Sequence, residues 1–168
     1  ARKHLGNKPV TALVFTHSHA DHFGGALGVI SAEEVAQRKV PVIASDGFME
    51  EATSENILVG TAMARRSMYQ FGKNLPPGPK GAVDTGLGKN VSYGAVGVLE
   101  PTQLITKPTQ ELVLDGLRVV FHNVPGAEAP AEMTFSVPDY KLYGGAENLA
   151  QTMHNLLPVR GAKARDSL

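Results

Sequence analysis

The chain has 168 residues, enough for one domain with a core of its own, and its 16 basic and 16 acidic residues cancel to a formal charge of zero. That balance gives no electrostatic footing for nucleic acid or an anionic membrane, and no apolar run approaches the roughly 18 residues of a membrane span. Without cysteine, disulfides are excluded and any metal site must be built from His, Asp and Glu.

In chain order, Val10 to Phe15 is a short apolar run that predicts a buried strand. It leads into Thr16-His17-Ser18-His19-Ala20-Asp21-His22-Phe23-Gly24-Gly25, where the paired glycines mark a turn and a helix is expected from about Ala26. Ser31-Ala32-Glu33-Glu34 has capping-box spacing, with Ser31 as N-cap and Glu34 returning the bond. Gln37-Arg38-Lys39 and Pro41 close that helix, and Val42-Ile43-Ala44 predicts a second buried strand.

Asp46 to Phe71 reads as largely helical with a break near Thr53-Ser54, and Gly72 is its expected C-cap. Met63, Met68, Tyr69, Phe71 and Leu75 would line a channel for an apolar tail, although their spacing fits plain helix core better. Residues 73–110 read as a long Gly/Pro-rich loop, expected to line substrate or an oligomer contact. Two hairpins follow. Glu111–Leu114 and Leu117–Phe121 flank Asp115-Gly116, and Met133–Val137 and Lys141–Tyr143 flank Pro138-Asp139. Glu147 to Leu157 reads as a short helix ending at Pro158.

His17-x-His19-x-Asp21-His22 carries the chemistry. Extended residues two apart point the same way, so His17 and His19 can share one metal. Asp21 and His22 follow on a turn and can aim at a second. Imidazole and carboxylate suit zinc, and ligands gather on loops just past buried strands.

This segment resembles the HxHxDH signature of the metallo-β-lactamase superfamily. The resemblance implies a mixed α/β (α+β) fold, an αββα sandwich, with a one- or two-metal site at one edge of its two sheets. Most members supply a further His from a Pro-Gly-His motif. Here Pro125-Gly126-Ala127-Glu128 has a carboxylate one position later, and Glu147 stands in Tyr143-Gly144-Gly145-Ala146-Glu147-Asn148 where many members have a bridging Asp. Both departures resemble the alkyl sulfatase branch, as do the stretches Glu55 to Arg66 and His154 to Lys163.

By that match, His17, His19 and Glu128 would hold one zinc, Asp21 and His22 a second, and Glu147 would bridge. Glu132 is the rival of Glu128, since one of the two is expected only to satisfy backbone donors in the turn. The branch's further His ligand would fall past Leu168, so the chain, which begins without Met, reads as part of a longer catalytic domain with an incomplete site. The resemblance implies hydrolysis of alkyl sulfate esters, as in detergent degradation, to alcohol and inorganic sulfate by a metal-activated water. Attack at sulfur and attack at carbon both stay open. Asp21 and His154 are the catalytic candidates, with His154 protonating the leaving alkoxide. Arg160 would hold the sulfate, and Asn90 and Tyr93 would touch it. His122 is read as structural or as orienting a ligand, and His4 as surface. Where the branch commonly has Ala-Thr-His-Thr, this chain has Leu149-Ala150-Gln151-Thr152. The resemblance further implies a homodimer with additional domains and a periplasmic or secreted location. Two other readings remain: another hydrolase of the superfamily, β-lactamase-like or glyoxalase II-like, and a metal-binding but catalytically silent fragment.

Overall fold

The computed structural model describes residues 2–85, 88 and 94–149. A helical turn, α1 (Arg2–Leu5), precedes β1 (Leu13–Val14), α2 (Ala20–Phe23), a 3-10 turn (Ala26–Gly28), α3 (Ala32–Arg38) and β2 (Val42–Ser45). Next come α4 (Phe48–Thr53), a π-helical turn (Ser54–Leu58) and α5 (Gly60–Phe71). The remaining elements are β3 (Gln103–Ile105), β4 (Thr109–Leu114), β5 (Leu117–Asn123), β6 (Met133–Val137), a 3-10 turn (Pro138–Tyr140) and β7 (Leu142–Gly144). The strands form a parallel sheet, β1-β2-β3, and an antiparallel sheet, β4-β5-β6-β7.

Every residue of β2 is buried, because both of its faces are covered. On one face Val42 and Ala44 join Phe15, Phe23, Val35 and Phe48 from the flanking loops and helices. On the other, Ile43 and Ile105 meet Val119, Phe121, Met133 and Val137 of the antiparallel sheet. Helices, parallel sheet and antiparallel sheet are therefore stacked, three layers of an αββα sandwich. A second outer helical layer is not found among the described residues. No helix among them is long and apolar enough to cross a membrane.

Phe48 anchors the helix-side core, stacked on Phe15 at 5.2 Å and edge-on to Phe23 at 5.5 Å between ring centroids. Phe48→Ala is expected to cost about 3–5 kcal/mol of stability, read as a lower urea midpoint at unchanged slope. A loss under about 1 kcal/mol would mean that the ring is not load-sharing in the core.

Local signals were good guides to ends and turns. The Ser31 Oγ accepts from the Glu34 N–H at 3.1 Å, Gly72 caps α5 at φ 59°, and Asp115 and Gly116 both have positive φ in the β4–β5 turn, as a two-residue hairpin requires. Several expectations change. Glu34 does not return the capping bond; its carboxylate pairs with Arg38 one turn on. A helical turn already begins at Ala20, so Asp21 and His22 lie on α2. The buried strand read over Val10 to Phe15 narrows to β1, because its partner cannot extend upstream: Leu13 N–H already bonds to Pro41 O, and Lys39 has left-handed backbone at the end of α3.

The stretch 73–110 contains β3, and β4 begins at Thr109. Three residues of strand leave no periodicity to read, and only non-local pairing with β2 defines them. The helix-core reading of Met63, Met68, Tyr69, Phe71 and Leu75 is overturned. No residue of α5 is buried, and Tyr69 is 84% exposed. The π turn immediately precedes α5, which lies on the surface. Of the helix read over Glu147 to Leu157, Glu147 to Leu149 form a turn and the rest lies outside the described residues.

Candidate metal centre

Past β1 the chain runs on to His17, bends at Ser18 and is extended again at His19. Met133 N–H bonds to Thr16 O at 2.8 Å, and His17 bridges to Glu132. The histidine loop is thus stitched to the first residue of β6, at the seam between the two sheets. His17 is fully buried and His19 nearly so. His22 follows on α2, its N–H bonded to His19 O at 3.0 Å.

Glu128 comes from the turn between β5 and β6. Gly126, at φ 81°, lets that turn double back, and Val124 N–H closes it on Glu132 O at 3.0 Å. The Glu132 carboxylate sits inside it, accepting from the N–H groups of Glu128 and Ala129 at 2.6 and 2.8 Å. Its other oxygen accepts from Asn148 Nδ2 at 2.9 Å. The two glutamates thus divide the tasks: Glu132 faces backbone, and Glu128 faces imidazole. Glu128 Oε2 is 3.1 Å from His17 Nε2 and 2.9 Å from His19 Nδ1. Glu147, just past β7, places Oε2 3.6 Å from His17 Nε2 and 3.2 Å from His22 Nε2.

His17, His19, Glu128 and Glu147 each offer one ligand atom, all within 4.8 Å of one another. His17 Nε2 is buried, facing the carboxylates of Glu128 and Glu147. Lone pairs converging in this way on one buried point fit a cation. His22 adjoins through Glu147. Asp21 lies at the half-exposed rim, its Oδ2 3.6 Å from His22 Nε2.

Burial pushes His17 below the usual imidazole range, only partly offset by Glu147. Its neutral form is the one that can ligate a metal. Burial opposes charge on His22 too, but the Glu147 hydrogen bond and the Asp21 charge outweigh it and raise the pKa. Burial lifts Glu132 to about 7 against the pull of its two backbone donors.

His122 lies outside the cluster, its Nδ1 3.4 Å from Thr109 Oγ1 across the hairpin, and His4 is exposed on α1. Asn90, Tyr93, His154 and Arg160 lie outside the described residues. Sequence reasoning did not place Glu55 beside the cluster. It is buried with Oε2 3.4 Å from His19 Nε2, although no ligand-like spacing marks it. The available signal was an inverted polarity within a helical stretch, Ser54-Glu55-Asn56 before Ile57-Leu58-Val59.

A family model described as the metallo-beta-lactamase superfamily matches residues 1–123. The chain belongs to the metallo-beta-lactamase superfamily. Within the superfamily it is 45% identical over 98% of its length to an alkyl/aryl-sulfatase of Saccharomyces cerevisiae. It is 46% identical, also over 98%, to an (R)-specific secondary-alkylsulfatase of Pseudomonas sp.. It covers 25% of each of these relatives, so the chain spans about a quarter of their length. The solved structure of a stereoselective inverting sec-alkylsulfatase from Pseudomonas sp. superposes with a TM-score of 0.91 at 46% identity, over 98% of this chain and 26% of that one.

Proposed function

We propose that this chain carries the metal centre of a hydrolase that cleaves alkyl sulfate esters to an alcohol and inorganic sulfate. The carrying observation is the buried convergence of His17, His19, Glu128 and Glu147 at the seam of the sheets. Relatives named as alkylsulfatases support the substrate class.

His17, His19 and Glu128 would hold one zinc, and Asp21 and His22 a second. Glu147 would bridge, a role supported by its oxygen lying near both His17 and His22. When bound, zinc supplies Lewis acidity, bringing a water toward ionisation near neutral pH and neutralising charge on the ester. Arg160 would hold the sulfate oxygens in its planar fork, with Asn90 and Tyr93 beside it. His154 would donate a proton to the departing alkoxide oxygen. Glu128 and Glu147 fit a charged, oxygen-rich centre better than the all-histidine first site of most of the superfamily. A homodimeric full-length protein belongs to the same proposal, on the resemblance alone.

The test is zinc content measured beside sulfate release from dodecyl sulfate, on this chain and on a version extended past Leu168 after its longer relatives. Two zincs and sulfate release in the extended version are the expected result. Zinc binding without sulfate release in either version would leave the metal centre and remove the substrate.

A further inference from the structure

The segment Ser54–Leu58 breaks two local rules together. It is a π-helical turn, with Val59 N–H bonded to Ser54 O at 3.1 Å, a form rare outside functional sites. Its polarity is also inverted: Glu55 is 2% exposed, while Ile57 and Leu58 are 72% and 76% exposed. Burying a carboxylate and exposing two large apolar chains runs against the hydrophobic effect. Conflicts of this kind gather where function overrides packing.

The inversion carries Glu55 to the histidine loop. Its Oε2 lies 3.4 Å from His19 Nε2, while the opposite ring nitrogen, Nδ1, faces Glu128 at 2.9 Å. The neighbouring Asn56 secures the turn by donating from Nδ2 to Ser18 O at 3.1 Å and to Ala52 O at 2.8 Å. The π turn is therefore bonded to the short loop between His17 and His19. A neutral imidazole has one N–H and one lone pair. A carboxylate oxygen accepts an N–H, so Glu55 draws the proton to Nε2 and leaves the Nδ1 lone pair toward the cluster, while in the absence of a metal the Glu128 carboxylate competes for the same proton at Nδ1.

We propose that Glu55 is a positioning residue, which fixes the tautomer and ring orientation of His19 so that Nδ1 is presented to the metal. The proposal rests on the metal-centre reading above and adds the device that orients one of its ligands.

Two variants test it. Glu55→Gln keeps an acceptor oxygen at the same length. Glu55→Leu removes the acceptor but fills the space and relieves the buried charge, so it should fold. The His19 tautomer is read in the metal-free chain from imidazole nitrogen shifts, and zinc affinity from competition with a chromophoric chelator. In Glu55→Leu, the share of the Nε2–H tautomer is expected to fall, since Glu128 alone then draws the proton to Nδ1, and zinc affinity to fall about 10–100-fold, as when a ligand loses its outer partner. Glu55→Gln should restore both to near the parent values. A Leu variant with the parent's tautomer and zinc affinity would overturn the proposal. If the parent itself bound no zinc, the metal-centre reading would fail, and the tautomer comparison would still decide the role of Glu55.

Discussion

Glu132→Ala is expected to lower stability by about 3–5 kcal/mol, because the backbone N–H groups of Glu128 and Ala129 and the Asn148 amide lose a buried acceptor together. In a chain of this size that is a drop in melting temperature of roughly 10 °C. Glu132→Gln should cost much less. Its oxygen can still accept the two backbone N–H groups, and its amide can donate to Asn148 once that side chain flips, since Asn148 Oδ1 is buried without a hydrogen bond. Glu128→Ala, four residues away, should behave in the opposite sense. Burial favours the neutral form of His17, so deleting the carboxylate strands no charge on that ring, and metal-free stability should fall by less than in Glu132→Ala. Zinc affinity should fall by more than the roughly 10–100-fold of losing an outer partner. Thermal denaturation of the metal-free proteins, paired with zinc titration, reads both quantities. If Glu128→Ala keeps its zinc while Glu132→Ala loses zinc at unchanged stability, the two glutamates have been assigned the wrong way round.

Zinc itself should stabilise the fold strongly. The ligand atoms of His17, His19, Glu128 and Glu147 are assembled only when the β1 loop, the β5–β6 turn and the segment after β7 are all in place, so the metal binds the folded chain far better than the unfolded one. At a free zinc concentration 1,000 times the dissociation constant the gain is about 4 kcal/mol, a rise in melting temperature of roughly 10 °C, reversed by a chelator. His17→Ala should lose most of that rise. Calorimetric scans with and without zinc check it, and identical melting temperatures in the parent chain would remove the cluster as a metal centre.

What the sequence determined by itself was much of what near neighbours set. The Ser31 cap, the Gly72 stop and the Asp115-Gly116 turn all depend on backbone geometry within a few residues, and each stands where its spacing put it. The two-sheet arrangement was what the resemblance implied; apolar runs and turn residues gave only the separate strands and hairpins. The resemblance favoured Glu128 over Glu132 by register, but residue spacing alone did not separate them, and it is the tertiary structure that turns Glu128 to the histidines. Both lie in one irregular turn with no period, and the choice depends on how that turn closes against Thr16 and Asn148. It also decided that β3 is a strand, that α5 lies on the surface, and that Glu55 stands behind His19. Those outcomes depend on contacts between residues far apart in sequence, where local propensity is outweighed by burial and by the pairing of polar groups.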